Sequence, residues 1–345
     1  MTYTDALALG EIAWGPSIRS PWTWRRPLSD PAAALARASL HELRRRGALL
    51  PDPVRWLTIK RSFDLIHVHC MPVRFLGKNT APIVVSDSAG TFWYWTAGRG
   101  MEEARVKRLL RRERLLAGRY RYLHPSANPD LASRAVVFVE GGKALQAQVG
   151  ADVAGTICCP PGVPDPVRTA ERTGKRLVFV ARDFQLKGGD VALKIYETLR
   201  SRISGLRLTV AGSALPDPQV DGVDWIGSTD RSTLYRDVYP SADIFVYPTR
   251  FDCAPLVVME ALAHGIPVVA PRIFAIPELV VDGVTGILHD PNDLHQAIAA
   301  VEALLIDPVR RAVMGSAAKA DFQNRLSTEH RNMVLGQVYR KASQP

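Results

Sequence analysis

Apolar and polar residues change their period repeatedly along this chain, and the second half shows the change most clearly. Residues 176–182, RLVFVAR, are a short β-rich run, and QLKGGD follows. Val191, Ile195, Leu199 and Ile203 then recur four apart, the spacing of one helical face. A strand, a turn and a helix are predicted. Further runs at 206–212 (LRLTVAG), 223–227 (VDWIG) and 234–250 continue the alternation. From residue 175 to about 305 the chain therefore reads as a Rossmann-like α/β domain. Earlier, residues 30–47 predict a helix with Ser29 or Asp30 as N-cap and Gly47 as terminator, preceded by a first strand in ALALGEIAW. A hinge is expected over 160–173 and a last helix over 327–341. These placements divide the chain into 1–165, 166–326 and 327–345.

One predicted helix stands apart. Pro255 suits a first turn and Gly265 a C-terminal cap, which bounds a helix over 256–264. Its residues are apolar on every face except for Glu260, so the helix is expected to be buried on most sides. An unpartnered buried carboxylate is costly. Glu260 must then meet a cation or hydroxyl, either from a ligand or from the protein in a structural ion pair. Asp252 lies eight residues earlier, in the turn feeding the helix, where it serves either as an N-cap or as a second acid beside the free first-turn amides.

Cations enter at a different turn. Arg182 falls at the end of the 176–182 strand and Lys187 at the entrance of the following helix. Open α/β sheets bind ligands at that edge, and two cations there suit a diphosphate unless both are simply solvated. Gly188 and Gly189 leave room for backbone to approach an anion.

Taken in order, these elements resemble the large retaining family four of GT-B glycosyltransferases, the glycosyl transferases of group 1. The family's pair of acids, separated by seven intervening residues, corresponds to Asp252 and Glu260. Its A-x-x-x-G-x-P-V-V-A run corresponds to Ala261, Gly265, Pro267, Val268, Val269 and Ala270. Pro277, Glu278, Asp282, Gly283 and Gly286 match the P-E-x-x-x-D-G-x-x-G run that follows. FDLIHVHC (63–70) resembles a family strand and CPPGVPD (159–165) its interdomain segment, so the likeness extends over about residues 30–342.

The resemblance implies a GT-B fold, two Rossmann-like domains facing each other across a cleft. It also implies a retaining, metal-independent transfer from a nucleotide-sugar, UDP- or GDP-linked, with no further cofactor. Arg182 and Lys187 would hold the diphosphate with Gly188, and Asp252 would contact the sugar beside Ala254 and the amides of Leu256 and Val257. Glu260 would accept from the ribose, and Ile226 and Gly227 would border the base. Trp24, Arg25, Ser88 and Trp93 are the candidate acceptor contacts. The chain departs from the family in three places. Asp252 replaces the usual Glu, Pro255 stands where Gly is common, and Ser88 sits near the place of a usual His.

Composition changes the picture only for the partner. The chain has 345 residues, 47% hydrophobic and 23% charged, enough for two cores. Four cysteines without a C-x-x-C pair exclude a zinc ribbon, and no D-x-D metal motif occurs. Neither a leader nor an apolar run of spanning length is seen, so a cytoplasmic protein is expected. The net charge of +10 is entirely N-terminal: residues 1–170 hold 24 Lys and Arg against 14 Asp and Glu. It concentrates in 101–121, where leucines alternate with arginines just after the aromatic run TFWYW. This pattern suits an anionic membrane surface at the inner face of the plasma membrane carrying a lipid-linked acceptor. A sugar or small-molecule natural-product acceptor would need no membrane, and no motif points to nucleic acid. A catalytically silent nucleotide-sugar-binding scaffold is the alternative from another class.

Overall fold

In a computed structural model of the protein, the described residues are 162–166, 172–212, 220–252 and 254–342, with Glu102, Ala104 and six strands upstream. Two compact units are present, and the chain passes from one to the other chiefly between Cys158 and Cys159 and again between Leu335 and Gly336. The upstream strands make two parallel sheets. β1 (Arg55–Thr58) pairs with β3 (Val73–Leu76). β2 (Ile66–His69), β4 (Ile83–Asp87), β5 (Ala135–Val139) and β6 (Ile157–Cys158) lie in the order β2-β4-β5-β6. The strand expected in 63–70 is β2. The predicted helix at 30–47, the first strand, the aromatic run and the basic segment 105–121 lie outside the described residues. So do Trp24, Arg25, Ser88 and Trp93.

The other unit is a six-stranded parallel sheet, ordered β12-β11-β10-β7-β8-β9. Its strands are β7 (Arg176–Val180), β8 (Arg207–Ala211), β9 (Val223–Gly227), β10 (Ile244–Val246), β11 (Val268–Pro271) and β12 (Gly286–His289). Leu177 to Val180 are all buried, as they must be in a strand covered on both faces. The covering helices are α1 (Gly189–Arg200), α2 (Leu256–Ala263), the single turn α3 (Ile276–Leu279), α4 (Leu294–Ile306) and α5 (Pro308–Arg325). α1 packs on β7, β8 and α4, whereas α2 packs against α5. A last helix, α6 (Thr328–Ala342), ends the described chain.

Local signals place most of these boundaries. Asp293 caps α4 by accepting from the Gln296 amide, and Asp307 caps α5 through the Arg310 amide, with Pro308 at its first position. α1 stops at Arg200, one turn before Ile203, and buries Ala192, Ile195, Tyr196 and Leu199, while Val191 is only half-buried. Pro255 is not in the first turn of α2. It is the N-cap, held extended at φ −68° and ψ 102°, because a proline there still spares an amide that has no helical partner. Gly265 closes the same helix at φ +64°. Its carbonyl comes so near α5 that a Cβ on Gly315 would stand 2.6 Å from it. No helix among the described residues is long and apolar enough to cross a membrane.

Candidate active site

The first strand of the six-stranded sheet, β7, lies between its successor β8 and the fourth strand β10. Successive connections part company at that point, and the loops beyond the two strands leave a crevice at the carboxyl edge. Residues 181–188 leave β7 and residues 247–255 leave β10. The two loops are bonded together, since the Arg250 amide donates to the Leu186 carbonyl at 3.0 Å. Gly188 has φ +77°, and a Cβ there would lie 2.0 Å from the Pro248 carbonyl oxygen. Only glycine fits both the left-handed backbone and the contact.

Lys187 and Asp252 meet in this crevice. Lys187 Nζ donates to Asp252 Oδ2 at 2.7 Å and to the Phe251 carbonyl at 2.6 Å. Both side chains keep about a fifth of their surface exposed, 20% and 18%, so a ligand can still reach them. Asp252 Oδ2 also accepts from the Tyr247 hydroxyl at 2.7 Å, and Oδ1 from the Ala254 amide at 3.3 Å. Asp252 is thus paired with Lys187 and does not cap α2, whose N-cap carries no side-chain bond. Arg182 is exposed beside them with no hydrogen bond or ion pair among the described residues, and the Leu256 and Val257 amides are likewise unbonded there. One free cation, one paired cation and two free helix amides share one edge, a donor set suited to an anionic ligand.

Glu260 has a protein partner. It is 3% exposed, and Arg231 binds its Oε1 through Nε at 2.7 Å while the Tyr239 hydroxyl donates to Oε2 at 2.7 Å. Arg231 and Tyr239 belong to an irregular helical run, residues 231–241, whose middle is a wide five-residue turn closed by the Tyr239 amide on the Leu234 carbonyl. The structural ion pair foreseen as one of two readings is therefore formed. The remaining lone pairs on the carboxylate are what is left for any further donor. On the edge strand, Ile226 is 40% exposed, and a Cβ on Gly227 would meet nothing within 4 Å. That end of β9 is an open ledge.

Burial governs the titrating groups around the two acids. Burial first, and then the nearby Asp252 carboxylate, push the Tyr247 phenol well above its usual range. Burial and Glu260 do the same to Tyr239. Both hydroxyls therefore stay protonated and act as donors across the working range of pH. Burial also lowers His264, whose Nδ1 sits 2.8 Å from the Glu260 carbonyl oxygen.

A cavity of about 480 Å³ lies elsewhere, lined by Arg172, Asp243, His264, Gly265, Arg311 and Lys319 among others. Asp243 precedes β10 and Gly265 precedes β11, so the cavity is at the amino edge of the sheet, away from Lys187 and Asp252. Among the described residues no cluster of three His, Cys, Asp or Glu could hold a metal.

Sequence reasoning had placed Lys187, Gly188, Asp252 and Ala254 together, and the structure brings them together. It had not found Tyr247, Arg231 or Tyr239. Tyr247 falls at the end of an apolar run and reads as one more β residue. Arg231 is 29 residues from Glu260 with no periodic relation to it.

Residues 174–307 match the family model described as glycosyl transferases group 1. Among curated proteins, the GDP-mannose-dependent alpha-(1-6)-phosphatidylinositol monomannoside mannosyltransferase of Mycolicibacterium smegmatis is 33% identical over 190 residues, 46% of this chain and 50% of that protein. The D-inositol 3-phosphate glycosyltransferase of Segniliparus rotundus is 31% identical over 157 residues, 42% of this chain and 35% of that one. The chain spans about half the length, or less, of these curated relatives. Sucrose-phosphate synthase from Thermosynechococcus elongatus superimposes with a TM-score of 0.61 at 19% identity, covering 94% of this chain and 82% of the synthase. Anabaena Alr3699/HepE in complex with UDP gives a TM-score of 0.58 at 17% identity over 76% of this chain and 72% of that chain. The parallel sheet, its switch-point crevice and these likenesses agree: residues 174–307 are similar to the glycosyl transferases of group 1, and the fold is that of the GT-B proteins.

Proposed function

We propose that the protein is a glycosyltransferase that moves a sugar from a UDP- or GDP-linked donor to an acceptor hydroxyl, with retention and without a metal. The observation that carries this reading is the crevice between β7 and β10. There, among the described residues, Arg182 has no bonded partner, Lys187 and Asp252 are part-exposed, and the first amides of α2 are unbonded. Arg182 and Lys187 would neutralise the diphosphate as negative charge grows on it, the work a metal does in other transferases. Asp252 would accept from sugar hydroxyls. Ile226 and Gly227 would border the base, and Glu260 would hold the ribose from beneath. The bond from the sugar's anomeric carbon to the phosphate oxygen breaks as the acceptor oxygen attacks the same face, and the acceptor proton passes to the departing phosphate. No protein nucleophile is required.

The similar mannosyltransferase that is named for phosphatidylinositol monomannoside favours a lipid-linked acceptor for this chain too. The basic segment 101–121 would then meet an anionic membrane from the cytoplasmic side. Two domains are assigned on the same reading, 1–165 for the acceptor and 166–326 for the donor, with 327–345 as a closing helix.

A thermal-shift panel of UDP, GDP, ADP and TDP tests the donor site, with Arg182→Ala alongside. A ligand at 100 times its dissociation constant stabilises by about 2.7 kcal/mol. One nucleotide should shift the wild type and leave the variant unshifted; no shift at millimolar concentration would leave a silent scaffold as the better account. Flotation with vesicles containing phosphatidylglycerol tests the membrane, and failure to float sinks that part.

A further inference from the structure

Asp252 is held by two side chains that differ in mobility. Lys187 has a long, flexible stem and is part-exposed. Tyr247 is 1% exposed, and its ring is fixed between Phe245, stacked at 5.8 Å, and Phe179 at 6.4 Å. Both donate to the same oxygen, Oδ2, at 2.7 Å. On the proposed reading, on which this inference rests, the diphosphate draws the Lys187 ammonium toward itself, and Asp252 loses its cation when the sugar arrives.

What remains on the carboxylate is the 3.3 Å contact from the Ala254 amide to Oδ1 and the Tyr247 hydroxyl on Oδ2. The amide contact is long for a hydrogen bond. An aspartate also rotates about its short stem unless something pins one oxygen. We infer that Tyr247 is the positioning residue of the sugar subsite: its hydroxyl clamps Oδ2 of Asp252 so that Oδ1 stays aimed at the donor's hydroxyls after Lys187 has turned to the diphosphate. The ring is carried by the first residue after β10, and its amide donates to the Val269 carbonyl of β11 at 2.9 Å. The clamp thus stands where the loop leaves the sheet, with its backbone still bonded to the neighbouring strand. A positioned acid of this kind acts on the sugar and not on the nucleotide, which separates its signature from that of Arg182 or Lys187.

Tyr247→Phe keeps the ring and removes only the hydroxyl, so the packing on Phe245 and Phe179 persists. The test uses the full chain, with UDP-glucose and GDP-mannose as donors and water as acceptor. Transfer to water breaks the anomeric carbon–phosphate bond, and the water proton leaves with the nucleoside diphosphate, whose release is measured. Turnover should fall about 10- to 100-fold, the worth of one hydrogen bond to a charged group. Affinity for UDP or GDP lacking the sugar, measured by calorimetry, should stay within about twofold. In an Asp252→Asn background the same Tyr247→Phe change should cost less than about twofold, because the residue acts through the carboxylate. Turnover within twofold of wild type, an equal loss in both backgrounds, or an equal loss of nucleotide affinity would overturn the inference while leaving the transferase reading in place. A wild-type protein that binds no nucleoside diphosphate and releases none would overturn both.

Discussion

Removing the Arg231 guanidinium strands a carboxylate inside the protein. Glu260 is 3% exposed, and its Oε1 has no other side-chain partner among the described residues, whereas Oε2 keeps the Tyr239 hydroxyl at 2.7 Å. Breaking a buried ion pair by deleting one member typically costs 3–5 kcal/mol, because the survivor stays buried and charged. Arg231 retains 33% of its side-chain exposure, so water can enter from that side and recover part of the loss. An Arg231→Met variant, which fills a similar volume without charge, is therefore expected to lose about 2–4 kcal/mol. For a domain of this size each kcal/mol is worth roughly 2–4 °C, which puts the fall in its calorimetric transition at roughly 5–15 °C. A pair of similar chemistry on the surface serves as contrast: Arg202 and Glu302 are 3.1 Å apart but 54% and 31% exposed, and Arg202→Ala should cost no more than about 1 kcal/mol. Glu260→Gln on top of Arg231→Met should restore part of the loss, since a neutral amide needs no cation. A change below about 0.5 kcal/mol for Arg231→Met, or a double variant worse than the single, would refute the claim that the pair is buried and coupled.

Other expectations follow from the same geometry. Gly188→Ala combines a left-handed backbone with a Cβ placed 2.0 Å from the Pro248 carbonyl, so nucleotide affinity should drop at least tenfold by calorimetry; unchanged binding would mean the two loops part at little cost. Lys187→Met should weaken UDP or GDP binding with a reduced salt dependence, read from affinities at two ionic strengths. His264 and His289 are both held below the usual 6.5 by burial, so the unfolded chain takes up protons that the folded one refuses. Their contribution to stability is complete above about pH 6.5 and is lost as pH falls below it. Replacing His264 with Asn should flatten the acid limb of a denaturation-midpoint profile between pH 6.5 and 5, and an unaltered limb would contradict the burial argument.

The sequence made the six-stranded unit legible where its signals were local. The run at 177–180 does not alternate but is apolar throughout, as a doubly covered strand must be, and the glycines at 188 and 265 announce left-handed turns. Asp293 and Asp307 mark helix starts by their position alone. What stayed hidden depended on residues meeting across the fold. The partner of Glu260 comes from a run whose middle is a wide turn, which propensity does not foresee, and Pro255 looked like a first-turn residue because a proline's fitness for that place and for the cap rests on the same missing amide. Tyr247 reads as strand filler because alternation gives a side chain's face and not its hydrogen bond. The acceptor contacts suggested by Trp24, Arg25, Ser88 and Trp93 fall outside the described residues.

α2 has one more consequence, for mutational tolerance. Val258, Met259, Ala261, Leu262 and Ala263 are each wholly buried, and Glu260 lies among them at 3%. An ordinary surface helix has a wet side on which substitutions are nearly neutral, so a saturation library shows tolerance rising and falling every three to four residues. α5 has such a side: Val309 and Val313 are 72% and 66% exposed while Met314 and Ala318 are inside. From Val258 onward α2 offers no such relief. Every position from 258 to 263 should be depleted in a functional selection, a flat trough with no helical rhythm, so this helix has little room to drift and change must arise in the loops around it.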